Sequence, residues 1–187
     1  MNSKLENIDW KGRNAEYIPV WLNQLRSNNQ TERAEAKNNL EDTVIRIGNQ
    51  NFDMGHGISE LLSTDLPTLV APFLIDLLED ENTPDKVSIL DMLIGLSLYS
   101  TMKFEGDVYQ KRLSRLLSVI YRANQLYIKL LKNINPTMRA SAFSILCQNP
   151  NMDEPTKQAL RKARENESDN FAKEFMERIW KQKISAQ

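Results

Sequence analysis

Residues 130–146 read LLKNINPTMRASAFSIL: two leucines, an Asn-bearing turn, a proline, then an arginine among small and apolar residues. That order describes a helix that ends, a short turn, and a second helix that Pro136 can open, because the first helical position needs no N–H. The pattern recurs twice upstream. Leu25, Leu78 and Leu131 lie 53 residues apart, and four residues beyond each stand Asn29, Asn82 and Asn135. Eight residues beyond are Arg33, Lys86 and Arg139; eleven beyond, Ala36, Ile89 and Ala142; fifteen beyond, Leu40, Leu93 and Leu146. A fixed period of this length marks an array of one supersecondary unit. Such arrays build extended surfaces, so the period tilts function towards binding.

Each copy reads as a helix pair. Ile18, Trp21, Leu22 and Leu25 share one helical face, and Ala36, Leu40, Val44 and Ile47 share another that stops near Gly48. In the second copy Phe73, Leu74, Leu77 and Leu78 precede the turn, and Pro84 is expected to start the next helix. Pro19 and Pro72 stand six residues before their leucines and suggest a shared start for the first helices. Gln125 replaces that proline in the third copy, so residues 107–132 are expected to form one helix of about 39 Å. A degenerate fourth pair is expected over Pro155–Arg164 and Asp169–Trp180, with Phe171, Phe175 and Ile179 facing inward. The expected organisation is a single domain over 1–187. It comprises an N-terminal cap at 1–13 containing Trp10, units at about 14–48, 66–100 and 107–149, and a C-terminal helical cap at 153–183. Two stretches interrupt the units, 49–65 and 100–106, and the longer is a candidate functional loop.

Composition narrows the class. The chain has 24 Lys and Arg against 25 Asp and Glu, a balance that opposes a dedicated nucleic-acid binder. One Cys and one His leave no Cys/His metal spacing and no internal disulfide, and no cofactor or metal is expected. The first residues lack the apolar core of a signal peptide, and no stretch approaches a membrane span, so a cytoplasmic location is expected.

Paired leucines, an Asp/Asn-rich turn, proline, then Arg and Ala-x-x-x-Leu resemble HEAT-type repeats over roughly residues 17–150. The segment from Ala71-Pro72-Phe73 to Leu77-Leu78 resembles a phrase of bacterial HEAT-repeat proteins of undefined function. The resemblance implies an all-α fold, a short right-handed α-solenoid of about four helix pairs in the HEAT or armadillo style. The 53-residue period exceeds the ordinary HEAT spacing of roughly 40 to 47, the excess being the two interruptions. The HEAT resemblance further implies a non-enzymatic protein–protein interaction module binding its partner on the concave face. Some of its members resemble immunity proteins that neutralise bacterial toxins, or regulatory proteins. Other HEAT-like proteins act as DNA glycosylases or as lyases and chaperones for bilins, and these are the alternatives.

In HEAT arrays the second helices line the concave side. Offsets of ten, thirteen and seventeen from each leucine collect Glu35, Ser88 and Ser141; Asn38, Asp91 and Ser144; and Asp42, Gly95 and Gln148. These offsets keep one helical face beside the core face. By resemblance they form a continuous polar groove with three carboxylates and no cation at those offsets. The expected partner is a protein with a basic surface. Glu35, Asn38, Asp42, Ser88, Asp91, Ser141, Ser144 and Gln148 are the candidate partner-binding residues, and no catalytic residue is assigned. His56 lies between glycines but has no assignable catalytic companions, Cys147 falls on an apolar seam, and Arg33, Lys86 and Arg139 are expected to bond turns or neighbouring units.

Overall fold

The described residues, 5–45, 64–98 and 106–185 of a computed structural model, hold nine α-helices and no strand. They are α1 (Ile18–Gln24), α2 (Gln30–Leu40), α3 (Leu66–Glu79), α4 (Lys86–Leu98) and α5 (Asp107–Arg122). Then follow α6 (Asn124–Leu130), α7 (Pro136–Gln148), α8 (Glu154–Glu165) and α9 (Asn170–Ser185). A 3-10 turn, Lys11–Arg13, precedes α1, and a π-helical segment, Glu41–Ile45, extends α2.

Consecutive helices pair at the three copies of the period, α1 on α2, α3 on α4 and α6 on α7, and α8 packs on α9 as a fourth pair outside it. Between pairs, α4 meets α7 and α7 meets α9, while α3 meets α5 and α6 meets α8. The repeat positions explain why. Leu25, Leu78 and Leu131 are all buried, as are Ala36, Ile89 and Ala142, and Leu40, Leu93 and Leu146. Apolar area removed from water at these equivalent places drives each pair together. One contiguous core results, running from Leu5 to Met176.

A tryptophan packs into or against the core near each end of the described chain. Trp10 is buried, its indole N–H donates to the Leu5 carbonyl at 2.8 Å, and its ring lies 6.5 Å from Phe73. The Trp180 ring lies 6.3 Å from that of Phe143, with the Arg164 guanidinium 5.1 Å from the Trp180 ring centre.

Four sequence expectations are corrected. The helix expected over 107–132 breaks at Ala123, whose N–H turns back to the Ile120 and Tyr121 carbonyls. The break lets α5 pack on α3 and α6 on α7, a division of partners that one straight rod does not make. Pro84 does not start α4; Asp85 caps it, accepting from the Ser88 N–H at 3.1 Å, and the helix begins at Lys86. Pro72 is not a helix start either, because α3 begins at Leu66 and carries Pro72 inside it, whereas Pro19 does sit in the first turn of α1. Phe171 does not face inward: it is 68% exposed, while Ala172 and Met176 are fully buried, so the inward face of α9 is displaced by one residue. The expected stop near Gly48, the loop at 49–65 with His56 (save Thr64 and Asp65), and most of 100–106 lie outside the described residues.

Candidate functional site

The second helices carry the candidate polar stripe. On α2, Glu35 and Asn38 are exposed, and Asp42 follows them, also exposed, on the π-helical segment. On α4, Asp91 is exposed and Ser88 half-buried, with the Ser88 hydroxyl donating to Asp85 at 2.8 Å. The pattern changes on α7. Ser141 and Ser144 retain 6% and 3% of their exposure, and nine of the helix's thirteen residues are buried. Helix α7 packs against α4, α6, α8 and α9, so offsets that face water on α2 face protein here. Gln148, half-buried, accepts from the Ser97 hydroxyl of α4 and donates to Ser144 at 3.3 Å. The continuous groove implied by the HEAT resemblance is therefore interrupted at Ser141 and Ser144. Its exposed part belongs to the first two units, and its third part ties helices together.

The electrostatics also differ from a purely acidic stripe. Lys37, at an offset outside the three used to define the stripe, reaches Glu41 at 3.4 Å. Desolvation raises the Asp91 carboxyl above the ordinary range, the Lys37 charge opposes that rise, and Asp85 adds to it. A cavity of about 290 Å³ opens between α2 and the start of α4, lined by Arg33, Lys37, Asn38, Asp85 and Ser88 among others. The cavity lining holds Asp85 against Arg33 and Lys37, so the acidic excess belongs to the exposed stripe of Glu35, Asp42 and Asp91. Such a surface can accept hydrogen bonds from the Lys and Arg of a partner.

Arg33 and Arg139 do bond turns. Each is the fourth residue of its helix, and each donates to a carbonyl two residues before the capping asparagine: Ser27 at 2.7 Å and Asn133 at 2.8 Å. Arg139 goes further, gripping Glu167 of the next unit through two bonds of 2.7 and 2.6 Å. Lys86 cannot copy this, since the later start of α4 makes it the first residue of its helix. The link between the first two units comes instead from Arg26, which reaches Asp80 at 2.9 Å. Opposite charges one residue past Leu25 and two past Leu78 carry a faint signal of that pair in the sequence. Glu167 has none, because it belongs to the degenerate unit.

Cys147 is buried at 2% exposure. Among the described residues no group of three or more His, Cys, Asp or Glu is placed to hold a metal ion. No helix among them is long and apolar enough to cross a membrane. Compared with models of protein families, with curated proteins and with solved structures, the chain finds no match.

Proposed function

We propose that this protein is a short right-handed α-solenoid that binds another protein through the acidic stripe on α2 and α4, in a cytoplasmic setting. The observation that carries the proposal is the exposure of Glu35, Asn38 and Asp42 in the first unit and of Asp91, the equivalent of Asn38, in the second, where Ser141 and Ser144 at the offsets of Glu35 and Asn38 on α7 are buried. Residues that merely fill a solvated face need no such register. A surface with excess carboxylate selects a partner that presents Lys and Arg and speeds the encounter at low salt. A toxin-neutralising or regulatory role is the form of this binding that the HEAT resemblance supports.

Quantitative affinity capture tests it with the full chain and a Glu35→Lys/Asp42→Lys/Asp91→Lys variant, whose substituted residues are all exposed. A protein with a basic surface should be enriched by the parent chain and lost with the variant, and the enrichment should weaken as salt rises. Equal capture by both chains, or enrichment of nothing, would refute a binding role for the stripe.

A further inference from the structure

Helix α1 lacks the lateral packing that its counterparts have. Helix α3 packs on α4 and also on α5 and the π-helical segment, and α6 packs on α5, α7 and α8. Among the described residues α1 packs extensively on α2 alone. The consequence shows at repeat-equivalent positions. Tyr17, Val20 and Trp21 correspond to Val70, Phe73 and Leu74 of the second copy, 53 residues on. Those three are buried, and the Phe73 ring meets that of Trp10 at 6.5 Å. In the third copy Tyr127, the counterpart of Trp21, is fully buried, and Leu126, the counterpart of Val20, is half-buried. On α1, by contrast, Tyr17 is 64% exposed, Val20 is 53% exposed, and Trp21 is half-buried.

These side chains form one surface. The Tyr17 and Trp21 rings stack with centroids 6.0 Å apart and planes at 23°, and Val20 stands on the same helical face as Tyr17. Clustered apolar surface of this kind marks an interaction site, and here it continues the face that buries α3 and α6 among their neighbours. Two observations favour a second copy of the chain as its occupant. The last helix, α9, turns Lys173, Glu174, Arg178 and Lys181 to solvent, and covering Tyr17 and Val20 with such a helix would bury those charges in an apolar contact. The apolar face therefore matches itself better than it matches the far end of the chain. The segment leading into α1 carries both signs, Glu6, Asp9 and Glu16 with Lys11 and Arg13, all exposed. A two-fold contact sets that mixed segment against its own copy, where opposite charges can meet.

We propose that two copies of this chain associate about a two-fold axis through α1, with Tyr17, Val20 and Trp21 of each copy packed on the same face of the other. The contact shares no residue with the α2–α4 stripe, so the two stand or fall separately.

Sedimentation velocity on the full chain, from about 1 to 200 μM, tests the association. A single step from one chain to two is expected, with a dissociation constant on the order of 10 μM, because α1 offers less surface than a permanent dimer uses. Val20→Glu and Tyr17→Ala should each weaken it about tenfold or more. Both residues are exposed, so the helical circular dichroism of each variant should match that of the parent chain. Phe171→Glu, which removes an exposed aromatic of α9, should leave the association unaltered. A chain that stays single throughout the range overturns the proposal. A mass that climbs past two copies also overturns it, in favour of end-to-end stacking. So does equal weakening by Phe171→Glu, which would mark unspecific apolar adhesion. Capture of a different protein by a single chain, lost with Val20→Glu, would give the face to another partner and overturn the two-fold contact.

Discussion

Arg139 shows how one side chain can hold two units. It bonds its own turn at Asn133 and Ile134 and clasps Glu167, whose side chain is only 2% exposed. The bond to Arg139 holds the Glu167 carboxyl below its ordinary value of 4.5, against an opposing effect of burial. A carboxyl lowered in the folded chain contributes stability above its unfolded value, and that contribution is lost as pH falls through the folded value. Urea unfolding should therefore show a larger gap between the parent chain and Glu167→Gln at neutral pH than near pH 3. Arg139→Ala, which strands a buried carboxylate, should cost about 3 kcal/mol, or about 9 °C in melting temperature for a chain of this size. Gly95 is a second sensitive residue. A methyl group added there would lie 2.6 Å from Ile45 Cγ2, itself buried. Gly95→Ala should destabilise by about 1–3 kcal/mol despite its better helix propensity, and Ile45→Ala in the same chain should relieve part of the loss in a double-mutant cycle. The bond of Arg139 to its own turn was readable from the repeat offset. Its bond to Glu167 was not, because the two lie 28 residues apart, away from the period.

At the scale of elements, helix starts decide which repeat residues are equivalent in practice. Asn29 and Asn135 cap α2 and α7 by accepting first-turn N–H bonds, Asn29 from Thr31 and Asn135 from Thr137 and Met138. Asn82 holds the same sequence offset but caps nothing: its own N–H donates to Asp80, and Asp85 takes over the capping of α4. Asn135→Ala and Asp85→Ala should each cost about 1 kcal/mol in chemical denaturation, while Asn82→Ala should fall within about 0.5 kcal/mol of the parent chain. Equal losses at Asn82 and Asp85 would contradict the shifted start. The sequence carries this shift only weakly, since Asn-Pro in the third unit and Asn-Thr-Pro-Asp in the second both look like acceptable openings. The break at Ala123 was not readable at all. Leu113, Leu116, Ile120 and Tyr127 continue one apolar stripe through it, and only the separate partners of α5 and α6 require the bend.

Across the whole molecule, burial is uneven in a way that predicts local stability. Helix α7 is covered on several sides, whereas α2 has only Ala36 and Leu40 buried. Native-state hydrogen exchange should find the amides of α7 the slowest and those of α2 markedly faster; comparable protection in the two would contradict the packing order. The same unevenness separates what the amino-acid sequence determined from what the tertiary structure decided. The period of 53 residues determined that helices come in pairs and which leucines and alanines go inside, because apolar side chains at helical spacing have one way to leave water together. It could not say which polar offsets stay wet. Glu35 and Ser141 are equivalent along the chain, yet one is exposed and the other buried, since exposure depends on how many helices surround each unit. Nor could it bring Arg13 of the 3-10 turn to Asp65 before α3, since the two hold no equivalent places in the repeat. Periodicity records what each unit does alike. Neighbours, set only when the chain packs, made the units differ.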